Sequence, residues 1–88
     1  LLVEGDEIAV DRGYAIFINA NLSRQVPAPC RRVTIARNVT RGGGILLAGQ
    51  PANDNVVRDN RHLGAPAPLR NEAAAQLHHN ENYTVVED

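Results

Sequence analysis

The segment from Val33 to Asn60 decides the fold of this chain. It reads Val33-Thr34-Ile35-Ala36-Arg37-Asn38, continues through Gly42-Gly43-Gly44 and Ile45-Leu46-Leu47, and returns to Asn55-Val56-Val57-Arg58-Asp59-Asn60. A short apolar strand that ends in Asn therefore occurs twice, with Asn38 and Asn60 22 residues apart. The same separation relates Ile35 to Val57. A period of this length, filled with short strands, indicates a repeat protein in which successive repeats stack.

The composition favours small aliphatic side chains. The chain has 88 residues, of which 43% are hydrophobic but only 3% aromatic. A compact globule of this size usually relies on more large side chains, whereas a stack of repeats places small aliphatic residues in register. Residues 1–88 are therefore treated as a single segment of such a stack.

Charge and residue types exclude several classes of partner. The formal net charge of −1 gives no basis for attraction to nucleic acid or to anionic lipid, and no apolar run approaches the roughly 18 residues of a membrane span. Cys30 is the only cysteine, and it is interpreted as a small, half-buried apolar residue. His62, His78 and His79 are too scattered to predict a metal site, and no cofactor is expected.

Further apolar runs extend the pattern on both sides. Tyr14-Ala15-Ile16-Phe17-Ile18 is β-branched and aromatic, and its last four residues align with Gly44-Ile45-Leu46-Leu47. Ile8-Ala9-Val10 and Tyr83-Thr84-Val85-Val86 are also predicted as strands. Ile35 lies three residues before Asn38, and Val3 lies three residues before Asp6 in the same way. The position three residues after Val86 would fall just after Asp88.

Two other segments are predicted to interrupt the strands. The Pro-containing segment from Asn19 to Cys30 is predicted as a long loop, and Pro66 and Pro68 mark a further break. Glu72–Leu77 carries three consecutive alanines and predicts a helix of one or two turns at most.

This pattern resembles the right-handed parallel β-helix family, the fold of pectate lyases, alginate epimerases and many phage tailspikes. The pieces that carry the resemblance are Val33–Asn38, Gly44–Leu47 and Asn55–Asn60. It implies an all-β, right-handed parallel β-helix segment of about four repeats, each of about 22–30 residues. A small β-sandwich or barrel is the alternative.

In the family, the recurring Asn sits in a tight bend between two sheets and stacks its amide on the next repeat. Asn is expected there because it tolerates left-handed backbone geometry. Asp6 replaces Asn in the first repeat, so the ladder is expected to be interrupted there. Because such stacks need caps, the chain is expected to be part of a longer chain or of an assembly.

Five residues form the candidate ligand or subunit surface. Phe17 and Leu46 are expected to face outward, side by side, as an apolar strip that stacks against sugar rings or a subunit; cover by the loop around Val26-Pro27 is the alternative. Arg37, Arg58 and Asp59 are counted with the same candidate surface: Asp59 is expected near the outer face of the repeats, with Arg37 and Arg58 beside it.

Carboxylates were considered for acid–base chemistry. Asp59 with Glu87 and Asp88 on adjacent repeats could support β-elimination or glycoside hydrolysis, but a solvated, ion-paired face is the preferred interpretation. No catalytic motif of the family is matched, so no catalytic residue is assigned. Asn21, in the sequence Asn21-Leu22-Ser23 of the predicted loop, is a candidate glycosylation site.

The resemblance implies two functions. The first is a segment of an extracellular β-helix protein that binds or processes polysaccharide, at the cell surface or on a virion. The alternative is a structural or adhesive β-helix, such as a tailspike shaft or a filament component, without catalysis. Both rest on fold-level resemblance, and whether the chain is an enzyme is left open.

Overall fold

The structure, a computed structural model, describes residues 1–20 and 30–87. Within these ranges the chain forms eleven short β-strands and no helix. The strands are β1 (Leu2–Glu4), β2 (Glu7–Ala9), β3 (Ile16–Asn19), β4 (Thr34–Ala36), β5 (Val39–Arg41), β6 (Ile45–Ala48), β7 (Val56–Arg58), β8 (Arg61–Leu63), β9 (Ala67–Glu72), β10 (Gln76–His78) and β11 (Tyr83–Glu87). None of the described residues forms a helix of the length and apolarity that a membrane crossing requires.

The strands form three sheets, and the described pairings between strands are all parallel. Sheet 1 has the order β1-β4-β7-β10, sheet 2 the order β2-β5-β8, and sheet 3 the order β3-β6-β9-β11. The chain visits sheets 1, 2 and 3 in turn and then returns to sheet 1. We call β1–β3, β4–β6, β7–β9 and β10–β11 the four repeats.

The register of sheet 1 confirms the 22-residue spacing of the second and third repeats. Val3, Ile35, Val57 and Leu77 are successive partners across the four strands. Ile35 and Val57 are both 0% exposed, so they hold equivalent inward positions in adjacent parallel strands, as the sequence predicts. Such pairing does not fit a sandwich of antiparallel sheets.

The core lies between the sheets and consists of aligned aliphatic side chains. In sheet 3, Ile16, Ile45 and Leu69 are successive partners, and all three are buried. Burial alternates along β9 residue by residue, as expected when successive side chains point to opposite faces of a sheet. Parallel stacking of aliphatic side chains is thus how a chain with few aromatics fills its core.

A two-residue turn follows each strand of sheet 1. Its first residue has a left-handed backbone, with φ of 55° at Arg37, 56° at Asp59 and 52° at His79. Its second residue is Asn38, Asn60 or Asn80, and in the first repeat, where the turn is Gly5-Asp6, it is Asp6. The expectation that Asn adopts the left-handed conformation is therefore wrong, because the preceding residue makes the bend. The Asn side chain serves instead as a hydrogen-bonding bridge between repeats.

Gly44 marks a close approach between repeats. A Cβ at this position would collide with the carbonyl oxygen of Pro68 in the next repeat. A Cβ at Gly43 would likewise collide with the carbonyl oxygen of Gly13 in the preceding repeat. These glycines are thus required by packing, whereas Gly42 also has a positive φ of 83°.

The predicted helix at Glu72–Leu77 is wrong. β9 extends to Glu72 and β10 begins at Gln76. The side chain of Asn71 binds the segment between them: its Oδ1 accepts from the N–H of Ala75 at 3.0 Å and its Nδ2 donates to the Ala75 carbonyl at 2.9 Å. Ala73 and Ala75 are buried, so side-chain bonding and packing override the helical preference of alanine.

The placement of the final strand also differs from the sequence prediction. Val86 belongs to sheet 3, where it pairs with Arg70, and not to the column of Ile35 and Val57. The fourth member of that column is Leu77, and its anchor is Asn80. Among the described residues, the fourth repeat has no strand in sheet 2. It contacts that sheet through a single parallel bridge between Glu81 and Arg61. The break predicted at Pro66 and Pro68 is present at Pro66, in the connection between β8 and β9, whereas Pro68 lies in β9 near its start, where proline is tolerated.

Candidate functional site

The outer face of sheet 3 carries an exposed apolar strip. Phe17, Leu46, Arg70 and Val86 are successive partners across the four strands of this sheet. Phe17 is 59% exposed and Leu46 is half-buried. The expected adjacency of Phe17 and Leu46 is therefore present. Sequence reasoning missed that Arg70 and Val86 continue the same row, because β9 was read as a break.

A second aromatic ring and an ion pair flank this strip. The ring of Tyr14 lies 6.3 Å from that of Phe17, tilted by 49°. Arg70 Nε lies 2.5 Å from Glu72 Oε2. The surface thus combines two aromatic rings, an aliphatic side chain and a charged pair. We call Tyr14, Phe17, Leu46, Arg70 and Glu72 the Phe17 face.

Tyr14 also lines a groove at the corner between sheets 2 and 3. The groove has a volume of about 560 Å³, and its walls are the loop segments 42–44 and 64–66 together with His62. Much of the wall is glycine and proline backbone, and Arg41 contributes a cation. The groove and the Phe17 face share Tyr14, so they are neighbouring parts of one surface.

A buried polar network lies beneath the groove. The Thr40 hydroxyl lies 2.8 Å from His62 Nδ1 and 2.6 Å from the Tyr83 hydroxyl. Burial raises the pKa of the Tyr83 hydroxyl, and the hydrogen bond to Thr40 partly offsets this by lowering the pKa. Thr40 and His62 are 22 residues apart, so the same period that identified the Asn positions could have identified this pair.

Arg37, Arg58 and Asp59 form a separate group. They lie at the end of the strands of sheet 1, not beside the Phe17 face on sheet 3. Arg58 Nη1 pairs with Asp59 Oδ2 at 2.9 Å, and Arg37 forms an ion pair with Glu4. The five residues grouped as one surface therefore lie apart, with Phe17 and Leu46 on sheet 3 and Arg37, Arg58 and Asp59 at the end of the strands of sheet 1.

The carboxylates considered for acid–base chemistry are likewise on different sheets. Glu87 lies on β11 in sheet 3, whereas Asp59 follows β7 in sheet 1. Glu87 Oε1 accepts a hydrogen bond from Asn71 Nδ2 at 3.0 Å. It lines a cavity of about 310 Å³ together with Glu72. Asp88, like Asn21 and the loop around Val26-Pro27, lies outside the described residues.

The remaining reactive side chains do not converge. Across residues 1–20 and 30–87, no group of three or more His, Cys, Asp or Glu side chains could hold a metal ion. His62 belongs to the buried network, His78 ends β10, and His79 forms a turn. Cys30 is 2% exposed, and burial followed by the nearby Asp54 carboxylate raises the pKa of its thiol.

Fold and surface together define, over residues 1–20 and 30–87, an all-β protein of stacked parallel strands with an exposed aromatic face. Comparisons with protein families, with curated proteins and with solved structures found no match to this chain. Its function is therefore argued from its own residues.

Proposed function

We propose that the chain is a segment of a right-handed parallel β-helix, and that its Phe17 face binds polysaccharide outside the cell. The regular visit to sheets 1, 2 and 3 supports the fold, because each strand is followed by its parallel partner one repeat later. A turn of such a helix consists of one strand from each sheet. The 22-residue separation of Ile35 and Val57 corresponds to one turn.

The observation that carries the function is the exposure of Phe17. An aromatic ring that is 59% exposed, with a second ring 6.3 Å away, is an unusual use of two of the three aromatic residues in the chain. Clustered exposed apolar side chains mark binding surfaces. A sugar ring presents an apolar face of C–H groups and a rim of hydroxyls, so it needs an aromatic platform with polar groups at its edge.

Arg70 and Glu72 supply those polar groups. They lie in the same sheet as Phe17, on the outward side of β9. Their charges can donate to and accept from sugar hydroxyls, and charge-assisted hydrogen bonds are the stronger kind. Neighbouring parallel strands are about 4.8 Å apart, so an extended chain lying across the strands meets Phe17, Leu46 and Arg70 in succession.

Binding can be measured by affinity electrophoresis of the 88-residue chain through gels that contain a neutral β-glucan or polygalacturonate. We expect retardation by at least one polymer, and a loss of at least about tenfold in affinity for Phe17→Ala, because the stacking platform is removed. Leu2→Ala is the matched control, since Leu2 is equally apolar and exposed (61%) but lies on sheet 1. No retardation by either polymer, or equal losses in both variants, would contradict the proposal.

A further inference from the structure

The groove at the corner between sheets 2 and 3 carries a permanent positive charge that nothing in its wall neutralises. Arg41 supplies the charge, and the described residues that line the groove include neither Asp nor Glu. Arg41 is exposed, and across residues 1–20 and 30–87 no carboxylate lies within ion-pairing distance of its guanidinium. A cation of this kind on a concave wall attracts anionic ligands.

His62 gives the same groove a second polar group, although its side chain is only 5% exposed. Its Nδ1 is held by the Thr40 hydroxyl at 2.8 Å. Among the described residues its Nε2 has no hydrogen-bond partner, yet it is not one of the atoms that are both unpaired and sealed from solvent. Nε2 therefore reaches solvent, and the groove is the cavity that His62 lines.

The network beneath the groove determines which ring nitrogen of His62 carries a hydrogen. The phenolic hydroxyl of Tyr83 is more acidic than the alcohol of Thr40. Tyr83 therefore donates to Thr40 Oγ1 at 2.6 Å, and Thr40 donates to His62 Nδ1 at 2.8 Å. In a neutral imidazole the hydrogen then lies on Nε2, and a protonated imidazole carries a hydrogen there as well. His62 thus offers an N–H donor to the groove.

Bonds and close contacts to neighbouring repeats fix the wall of the groove. Asn82 donates its Nδ2 to the carbonyls of His62 and Gly64, each at 2.9 Å. On the other side, Gly43 and Gly44 pack so closely against adjacent repeats that neither has room for a Cβ. A site that is formed before the ligand arrives loses less free energy on binding.

The remaining wall suits a small apolar body. Its side chains include the ring of Tyr14, the aliphatic Leu63, and the rings of Pro66 and Pro68. A volume of about 560 Å³ lies in the range of small-molecule sites, which combine apolar walls with a few polar groups. A single Arg41 matches a monoanion, and its planar fork matches the two oxygens of a carboxylate. A phosphate ester brings nearly two negative charges.

We propose that this groove binds a small organic carboxylate with an aromatic body. The carboxylate lies between the guanidinium of Arg41 and the Nε2–H of His62, and the aromatic ring packs against Tyr14 and the two prolines. Thr40 and Tyr83 are positioning residues, because they act through Nδ1 of His62. The inference goes beyond polysaccharide binding and does not depend on it, since the groups that hold the carboxylate lie outside the Phe17 face.

Nuclear magnetic resonance titration of the isotope-labelled 88-residue chain tests the proposal with phenylacetate and its neutral analogue phenylacetamide. We expect phenylacetate to shift the amide resonances of Gly44 and Gly64, with a dissociation constant of about 1 mM or lower. Phenylacetamide should bind at least about tenfold more weakly, because it has no charge to pair with Arg41. Absence of saturable shifts with phenylacetate, or equal binding of the two probes, would overturn the proposal.

Matched arginine variants separate this site from a general attraction of anions. Arg41→Gln should weaken phenylacetate binding at least about tenfold and leave phenylacetamide binding within about twofold. Arg61→Gln removes the same charge from an exposed residue of β8 that pairs with Glu81 and does not line the groove. It should bind both probes like the wild type. Equal losses of phenylacetate affinity in the two variants would overturn the site.

The donor role of His62 has its own readout. In a chain with His78→Gln and His79→Gln, His62 is the only histidine, so its ring nitrogens are observed alone. We expect the hydrogen on Nε2, and a shift of the Nε2 resonance when phenylacetate is added. Thr40→Val removes the donor to Nδ1, so the hydrogen should be shared between the two nitrogens and phenylacetate affinity should fall several-fold. A hydrogen held on Nδ1 alone, or an Nε2 resonance unchanged by phenylacetate, would overturn the assignment of His62.

Discussion

The side-chain oxygen of Asn60 accepts two hydrogen bonds from Asn38, one from its backbone N–H and one from its Nδ2, each at 3.0 Å. Asn60 in turn donates to the carbonyl of Ile35 at 3.1 Å. One buried amide therefore joins three repeats, because it also donates to Asn80. The ladder adds buried side-chain bonds to the backbone pairing that joins the same repeats in sheet 1.

Asn60→Ala is expected to lower the free energy of unfolding by about 1–3 kcal/mol, because it leaves buried donors on Asn38 and the Ile35 carbonyl without partners. A denaturant titration measures the loss. Arg58→Ala is the control: its exposed side chain pairs with the neighbouring Asp59, and its effect should stay within roughly 0.5 kcal/mol. Equal effects of the two substitutions would contradict a stabilising role for the hydrogen bonds of the Asn60 side chain.

Gly44→Ala should be more damaging than its small size indicates. The added Cβ collides with the Pro68 backbone, and neither repeat can retreat without breaking sheet 3, so we expect a loss of about 3 kcal/mol or more. Gly5→Ala is the comparison, because a Cβ there meets nothing within 4 Å and only the positive φ of 70° opposes it. That strain is worth about 1–2 kcal/mol. Thermal melts that rank Gly5→Ala as the worse variant would contradict the close approach.

The Tyr83 hydroxyl should titrate above its ordinary value of 10.0, because burial raises its pKa. In a Tyr14→Phe variant Tyr83 is the only tyrosine left, so tyrosinate absorbance reports it alone. Adding Thr40→Val should raise the pKa further, since the Thr40 bond lowers it. A Tyr83 pKa that falls on removal of the Thr40 hydroxyl would contradict the network.

The same shift gives stability a pH dependence with a definite sign. A pKa raised by folding means that the folded state holds the proton more tightly than the unfolded state. The contribution is complete below pH 10 and is lost as the pH rises from there through the folded pKa. Chemical denaturation at increasing pH should therefore show a decline above pH 10 that is smaller in Tyr83→Phe. An identical decline in both chains would show that Tyr83 does not contribute to it.

Cys30 should react slowly with a thiol reagent in the native chain. It is buried, so a reagent reaches its sulfur poorly. Burial together with the Asp54 carboxylate also raises the pKa of its thiol, so little of the reactive thiolate is present. We expect a rate at least about tenfold below that in denaturant. Cys30→Ala with Arg31→Cys moves the thiol to an exposed neighbour and should react equally fast in both conditions. Fast native reaction of Cys30 itself would place it at the surface.

The sequence was most informative where neighbouring repeats have equal length. The 22 residues between Ile35 and Val57 predicted parallel register, inward burial and the ladder, because a constant period survives only when equivalent residues stack. Prediction failed at the fourth repeat, which is 20 residues from Asn60 to Asn80. Its alanines favour a helix locally, and the side-chain bonds of Asn71 to the backbone of Ala75, which hold the bend, are not evident from the sequence.

The candidate surface was predicted in part. The pairing of Phe17 with Leu46 followed from aligning two apolar strands, but its extension to Arg70 required β9, which its prolines concealed. Arg37 and Asp59 were misplaced for a different reason. The sequence places the bend at the Asn, whereas the left-handed backbones of Arg37 and Asp59 form it one residue earlier, in the turn from sheet 1 to sheet 2.

The corners of the stack differ in how much foreign sequence they can accept. Two residues follow every strand of sheet 1, and the ladder fixes them. Between sheets 2 and 3 the connection instead varies among residues 10–15, 42–44, 64–66 and Asn82 alone. The segment Gly64-Ala65-Pro66 is exposed, and lengthening a loop costs little free energy once it is closed. A peptide epitope grafted there would be displayed at the rim of the groove while the three sheets keep their register.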